Sequence, residues 1–271
     1  MATEKSSATI TSSFYKAGAS VNIPEKILVD LVNIYSWLID FKHSLRKGDH
    51  FIVLYELAKN MQTKKTGPGN ILAAAFTHNG KTFYAIRYRN HYRHIGYYNR
   101  NGKSLRKAFR RKPVNIGYIS SPFNLHRRHP ILGITRPHTG TDFAAPYGTP
   151  IHATGDGRII YRARRGGYGR CIVINHGNGI TTLYAHMSRF NNKLKLGSYV
   201  KMNQVIGYIG SSGMSTGPHV HYEYRINHHY KNPMTVKLPN AAPIPKSERT
   251  AFQAYAAKEI KILINSDTEF T

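Results

Sequence analysis

Gly217-Pro218-His219-Val220-His221-Tyr222-Glu223 sets two histidines two residues apart. In a strand, residues i and i+2 point to the same face, so His219 and His221 look at one point in space. Upstream, Arg136-Pro137-His138-Thr139-Gly140-Thr141-Asp142 answers with a histidine and an aspartate four apart. His138 and Asp142 join the pair if Gly140 lets the intervening backbone turn sharply. Two imidazoles and a carboxylate converging make a typical catalytic zinc site, with the fourth position left to water. One histidine of the pair is then left for other chemistry.

Working outward, Gly210-Ser211-Ser212-Gly213-Met214-Ser215-Thr216-Gly217 runs directly into the pair. It lacks the Gly-Lys-Ser/Thr of a phosphate loop, and its glycines instead let backbone amides approach an extended substrate. Tyr184-Ala185-His186-Met187-Ser188 closes a strand-like run and puts another histidine at a strand end. A cupin would carry its glutamate four or five residues after the second histidine, and Glu223 follows by two. A zincin would carry His-Glu-x-x-His, which is absent. Glu223 shares the histidine face if the strand continues; it either orients an imidazole or is an exposed strand carboxylate. His126, His129, His152, His176 and His228 read as surface or packing histidines, and Met187 and Met214 as fillers.

From Gly133 on, short apolar runs alternate with glycine turns: Thr149 to Thr154, Arg158 to Ala163, Cys171 to Asn175, Ile180 to His186, Gln204 to Ile209 and His219 to Ile226. That spacing predicts an antiparallel β-sheet or sandwich. Residues 23–117 form a small α+β domain. A helix begins at Asn22-Ile23-Pro24-Glu25 with Ile27, Leu31, Tyr35 and Leu38 on one face. Strand-like runs follow at Phe51 to Leu54, Ile71 to Thr77 and Thr82 to Tyr88, with a hairpin turn at His78-Asn79-Gly80-Lys81 and another turn at Asn101-Gly102. Residues 1–22, rich in Ser and Thr, are expected as a flexible lead-in. Residues 118–240 form the β-rich domain. In 241–271 Ser247 caps a final helix, with Phe252, Tyr255, Ala256, Ile260 and Leu263 on the side that packs back on the α+β domain.

At 271 residues the chain holds one large domain or two ordinary ones. Its 39 Lys and Arg against 13 Asp and Glu give a net charge of +26, which calls for a polyanionic partner or surface. Cys171 stands alone, which excludes an intrachain disulfide and a cysteine-rich zinc module. The first 23 residues lack an apolar core with a cleavage site, and the stretch from Ile27 to Ile39, interrupted by Asp30 and Asn33, is too short to span a bilayer. Between Arg87 and Lys112 there are ten Lys and Arg, no acidic residue, and four interleaved tyrosines. With no nucleic-acid motif present, the reading is a solvated basic hairpin, and no specific nucleic acid is expected.

Taken together, His138-x-Gly-x-Asp142, Tyr184-Ala-His186 and Gly213-Met-Ser-Thr-Gly-Pro-His219-Val-His221-Tyr-Glu resemble the LytM/lysostaphin-type zinc metalloendopeptidases. Residues 118–240 carry the close resemblance. More loosely, the flanking parts resemble the Gram-negative envelope branch of DD-endopeptidases. The resemblance implies a β-sheet enzyme with one Zn2+ per chain held by His138, Asp142 and His221, and two catalytic imidazoles, His186 and His219. His186 is read as the general base and His219 as the donor to the oxyanion. Tyr184, Ser215 and Thr216 are expected to contact substrate. The implied substrate is peptidoglycan and the implied location the periplasm or cell envelope, with the basic surface holding a wall polymer or a membrane surface. In that branch an extra N-terminal module often carries an inhibitory segment; this chain begins without it, so the expectation is activity without processing. A scaffold that activates other hydrolases and a basic nucleic-acid binder are the rival readings.

Overall fold

The computed structural model describes residues 2–59, 66–127 and 137–265. The chain divides into two compact units, Met1–Lys107 with Asn240–Thr271, and Ala108–Pro239.

The first unit is built on a five-stranded antiparallel sheet in sequential order, β1 (Ala2–Thr9), β2 (His50–Lys59), β3 (Thr66–His78), β4 (Lys81–Arg89) and β5 (Ile95–Tyr98). Helices α1 (Phe14–Ser20) and α2 (Glu25–Tyr35) follow β1, and α3 (Arg249–Ile264) closes the unit. The expected flexible lead-in is thus structured. Residues 2–9 pair one for one with β2, from Ala2 opposite Leu57 to Thr9 opposite His50, and Ser13 caps α1. An edge strand with little apolar surface to bury has a composition close to that of a linker, so composition misread it.

Helix α2 starts after Pro24 and buries Ile27, Leu28, Leu31, Ile34 and Tyr35. It ends before Leu38, which is left exposed rather than on the helix face. Asn79 and Gly80 both take positive φ, as a two-residue hairpin of right-handed twist requires, and this fixes His78 opposite Lys81. Strand β3 reads as a continuous apolar run because both of its faces are covered. Ala74 and Phe76 pack with Leu31 and Tyr35 of α2, whereas Ala73 and Ala75 pack with Leu263 of α3. Phe252 and Ala256 of α3 lie with Ile86 and Tyr98. Ser247 does not cap α3; it sits within a 3-10 turn, Lys246–Glu248, that leads into the helix.

The second unit is a ten-stranded antiparallel sheet. Its strands are β6 (Tyr118–Ser121), β7 (Thr141–Ala144), β8 (Pro150–His152), β9 (Gly157–Arg164), β10 (Arg170–Gly177), β11 (Ile180–Phe190), β12 (Tyr199–Val200), β13 (Val205–Ile209), β14 (His219–Ile226) and β15 (His229–Lys231). The main path runs β12-β9-β10-β11-β14-β7-β6, so β14 lies between β11 and β7. One face of this path carries the core, in which Val220, Tyr222 and Tyr224 of β14 pack with Ile172, Ile174 and Met187. The opposite face of β14 carries the histidine pair.

Candidate active site

Along β14 the alternation is clean: Val220, Tyr222 and Tyr224 enter the core, and His219, His221, Glu223 and Arg225 share the other face. Strand β7 pairs with β14 so that Asp142 lies opposite His221. His138, just before β7, is fixed by two backbone hydrogen bonds with Asn124, at 3.0 and 2.7 Å. The backbone bends at Gly140, with φ outside the positive region. A Cβ there would lie 2.5 Å from the Tyr222 carbonyl oxygen and 2.7 Å from the His221 ring, so glycine is needed for close approach of β14.

His138, Asp142 and His221 converge among the described residues as a group able to hold a metal ion. Asp142 Oδ1 lies 3.1 Å from His138 Nε2 and 2.8 Å from His221 Nδ1, and the two nitrogens are 3.2 Å apart. Zinc bonds of about 2.0–2.1 Å in a tetrahedron give ligand-to-ligand edges of about 3.3 Å. The donor chemistry fits as well. His138 Nδ1 donates to the Pro122 carbonyl at 2.7 Å, which leaves Nε2 bare. His221 Nε2 donates to Glu223 Oε1 at 3.1 Å, which turns its Nδ1 lone pair toward the same point. Two lone pairs and a carboxylate facing one another demand positive charge. A proton serves one pair of them; a tetrahedral cation serves all three.

Glu223 is fully buried, and four groups account for it. Besides His221, Thr139 Oγ1 and Tyr168 OH donate to its Oε1 at 2.6 and 2.8 Å, and Arg225 Nε donates to its Oε2 at 2.8 Å. Of the two readings for Glu223, the structure selects the one that orients an imidazole. Burial works against both carboxylates, yet the His138 and His221 imidazoles beside Asp142 hold it well below the usual range. Those from His221 and Thr139, with Arg225 beside them, hold Glu223 down at about 2. Burial favours a neutral His221, but the carboxylates of Asp142 and Glu223, one at each ring nitrogen, outweigh this and push it up to about 9, so a proton and a metal ion compete for Nδ1.

His186 and His219 lie beside this group, their ring centroids 4.6 Å apart. His186 Nδ1 donates to the Ser212 carbonyl at 2.8 Å and His219 Nδ1 to that of Gly217 at 2.9 Å. Both rings therefore keep Nε2 available; that of His219 lies 3.9 Å from Asp142 Oδ1. Burial lowers the pKa of His186 and so keeps its ring neutral. His186 reaches this face through a β-bulge. The register with β10 slips between Arg170 and Ile172, and His186 adopts φ 57°. Strict alternation would have put His186 on the face of Tyr184, which is the core face.

That same bulge corrects Tyr184. It is fully buried, with its hydroxyl 2.8 Å from the Thr154 amide and 2.8 Å from Thr154 Oγ1, and it cannot touch a substrate. Ser215 donates to the Gly217 carbonyl at 2.8 Å and lies 3.3 Å from His219 Nδ1, and Thr216 is exposed on the same loop. Met187 fills the core, whereas Met214 is 66% exposed. His176 packs edge-on against Phe109, and His129 lies outside the described residues. Sequence reading missed Tyr168, Thr139 and Arg225. Arg225 was within reach of the β14 alternation, but Tyr168 comes from the loop before β10 and left no local signal.

Two family models match the chain: peptidase family M23 over residues 136–233 and the Csd3 second domain over residues 2–125. The chain is 40% identical over 256 residues to the peptidoglycan DD-endopeptidase ShyC of Vibrio cholerae, an alignment spanning 94% of this chain and 58% of that protein. It is 37% identical over 250 residues to the DD-carboxypeptidase/endopeptidase Mpg of Neisseria meningitidis, spanning 90% and 56%. The chain thus spans somewhat more than half the length of these curated relatives. Among solved structures, a zinc-containing peptidase from Vibrio cholerae is 32% identical with a TM-score of 0.48, covering 88% of this chain and 72% of that one.

Proposed function

The chain belongs to peptidase family M23, and from that footing we infer that it is a zinc-dependent endopeptidase hydrolysing peptide cross-links of bacterial peptidoglycan. The observation that carries this reading is the convergence of His138, Asp142 and His221 beside two further imidazoles with available Nε2 atoms. The first three would hold one zinc ion per chain. When bound, zinc polarises the scissile carbonyl and brings the pKa of its water toward about 7.

The chain's own residues supply the rest. Glu223 fixes the His221 ring so that Nδ1 faces the metal position, and Pro122 does the same for His138 Nε2. His186, kept neutral by burial and anchored on the Ser212 carbonyl, is the general base, and its Nε2 takes the proton from the attacking water. His219, anchored by its Nδ1–H on the Gly217 carbonyl, donates from Nε2 to the oxygen on which negative charge develops when its ring holds both protons. Ser215 and Thr216 border the substrate on the loop that holds both anchors.

The location would be the cell envelope, where the peptidoglycan named for ShyC lies; no helix among the described residues is long and apolar enough to cross a membrane. A non-catalytic scaffold gains no support from a chain that keeps all five groups.

Metal removal and residue replacement test the assignment. Chelated protein should lose cleavage of a soluble cross-linked muropeptide dimer and regain it on zinc addition. His186→Ala and His219→Ala should each retain zinc while losing roughly 100- to 10,000-fold in kcat. Undiminished cleavage by either variant removes that residue from the mechanism.

A further inference from the structure

The first unit carries a cleft that the peptidase reading leaves unused. It encloses about 310 Å³ along the start of β4. Strand β5 pairs only with Ile86–Arg89, so among the described residues no strand covers Lys81–Ala85 on that side. After β5 the chain turns back at Asn101-Gly102, where Gly102 has φ 73°, and the turn forms the opposite wall. The result is a strand edge with a wall standing off from it.

Charge says what fits there. Lys81, Arg100, Lys103 and Lys107 line the cleft, and no Asp or Glu is among its lining residues. Lys107 Nζ donates to Asn240 Oδ1 at 2.6 Å, which holds one cation in place. Lys81, Arg100 and Lys103 are exposed and turn their charge to whatever enters. An open strand edge offers backbone hydrogen bonds to an extended chain, and fixed cations offer charge-assisted bonds to its carboxylates. Nucleic acid suits the cleft less well, because base stacking needs free aromatic faces. Arg100 already lies over Tyr84 at 5.7 Å, and Lys81 over Phe83 at 5.3 Å.

We propose that this cleft binds the carboxylate-bearing stem peptides of peptidoglycan, a non-catalytic foothold in the first unit on the polymer that the second unit cuts. The identity of the occupant rests on the reading of the chain as a peptidoglycan peptidase. The cleft holds an uncleaved stem peptide, and the attraction weakens as salt rises.

Retention on insoluble, cross-linked sacculi provides the test, using the full chain with His221→Ala so that binding is read without cutting. The cleft variant is Lys81→Gln/Arg100→Gln/Lys103→Gln. The control is Lys193→Gln/Lys195→Gln/Lys201→Gln, an equal loss of exposed charge on the second unit. Circular dichroism checks that both keep the fold. The cleft variant should bind about tenfold more weakly, an effect of the size expected from losing a charge-assisted bond, and the control should change little. Soluble muropeptides should displace the wild-type cleft, and duplex DNA of matched charge should not. Equal weakening in both variants, no weakening in either, or equal displacement by DNA overturns the proposal. With His221 intact, the cleft variant should cut a small soluble dimer at the wild-type rate. If no form of the protein cuts, the peptidase reading fails by itself, and retention still decides the cleft.

Discussion

Glu223 gathers the geometry of the His138, Asp142 and His221 cluster into one side chain. It is fully buried, it accepts from His221, Thr139 and Tyr168, and it faces Arg225. Removing its charge loosens the tautomer and the orientation of His221 together. Glu223→Gln should therefore lower zinc affinity about 10- to 100-fold, measured by competition with a chromophoric chelator. Unchanged affinity would reduce Glu223 to a structural partner of Arg225. At this scale the sequence was informative where chemistry repeats at a short, fixed interval. His219 and His221 declare themselves at spacing two, and His138 and Asp142 lie within one short stretch. The bend at Gly140 was legible, but its second role was hidden, because that depends on how near Tyr222 comes from a strand about eighty residues away. Tyr168 was hidden for the same reason.

Strands β11 and β14 differ in how they deliver histidines to the site. Strand β14 does so by uninterrupted alternation, which sequence periodicity reads directly. Strand β11 needs a bulge, in which a non-glycine residue adopts φ 57°. Such a conformation costs on the order of 1–3 kcal/mol and leaves no mark in the hydrophobic pattern. Reading straight through the bulge assigns Tyr184 to the site, where the structure has it in the core. Tyr184→Phe separates the two placements. It strips the buried Thr154 amide of its acceptor and should cost about 1–3 kcal/mol of stability in denaturant titration, with kcat/KM unchanged. A fall in kcat/KM at equal stability would return Tyr184 to the substrate. The same polar chain ends at His176, whose Nδ1 donates to the Asp156 carbonyl at 2.7 Å and whose Nε2 accepts from Thr182 Oγ1 at 2.7 Å. Burial pulls His176 down to about 4. The unfolded chain protonates it at about 6.5 while the folded chain resists, so its contribution is full above 6.5 and drains away as pH falls toward 4. Wild type should lose about 1–3 kcal/mol more than His176→Gln over that window. Parallel pH profiles for the two proteins would contradict this.

Across the whole molecule, a net charge of +26 is the property that composition reports most plainly and localises least. Sequence reading placed the basic density between Arg87 and Lys112 and judged it a solvated hairpin. The structure divides that run, and only Arg100, Lys103 and Lys107 face the cleft beside β4. Element types along both units followed from turn chemistry and apolar runs. The first twenty residues did not, because an edge strand buries too little apolar surface to be distinguished from a linker. A uniform electrostatic attraction to the wall would weaken steadily with added salt, and retention of the chain on sacculi should do so. Salt-independent retention would point to contacts other than charge. The account stands chiefly on the chemistry of the second unit, and mass spectrometry of muropeptides tests it most directly. Purified cross-linked sacculi would be incubated with zinc-loaded protein and, in parallel, with His221→Ala. Cross-linked dimers should disappear, and monomers appear, with the wild-type chain only. Intact dimers after treatment with protein shown to hold zinc, or equal cleavage by the variant, would contradict it.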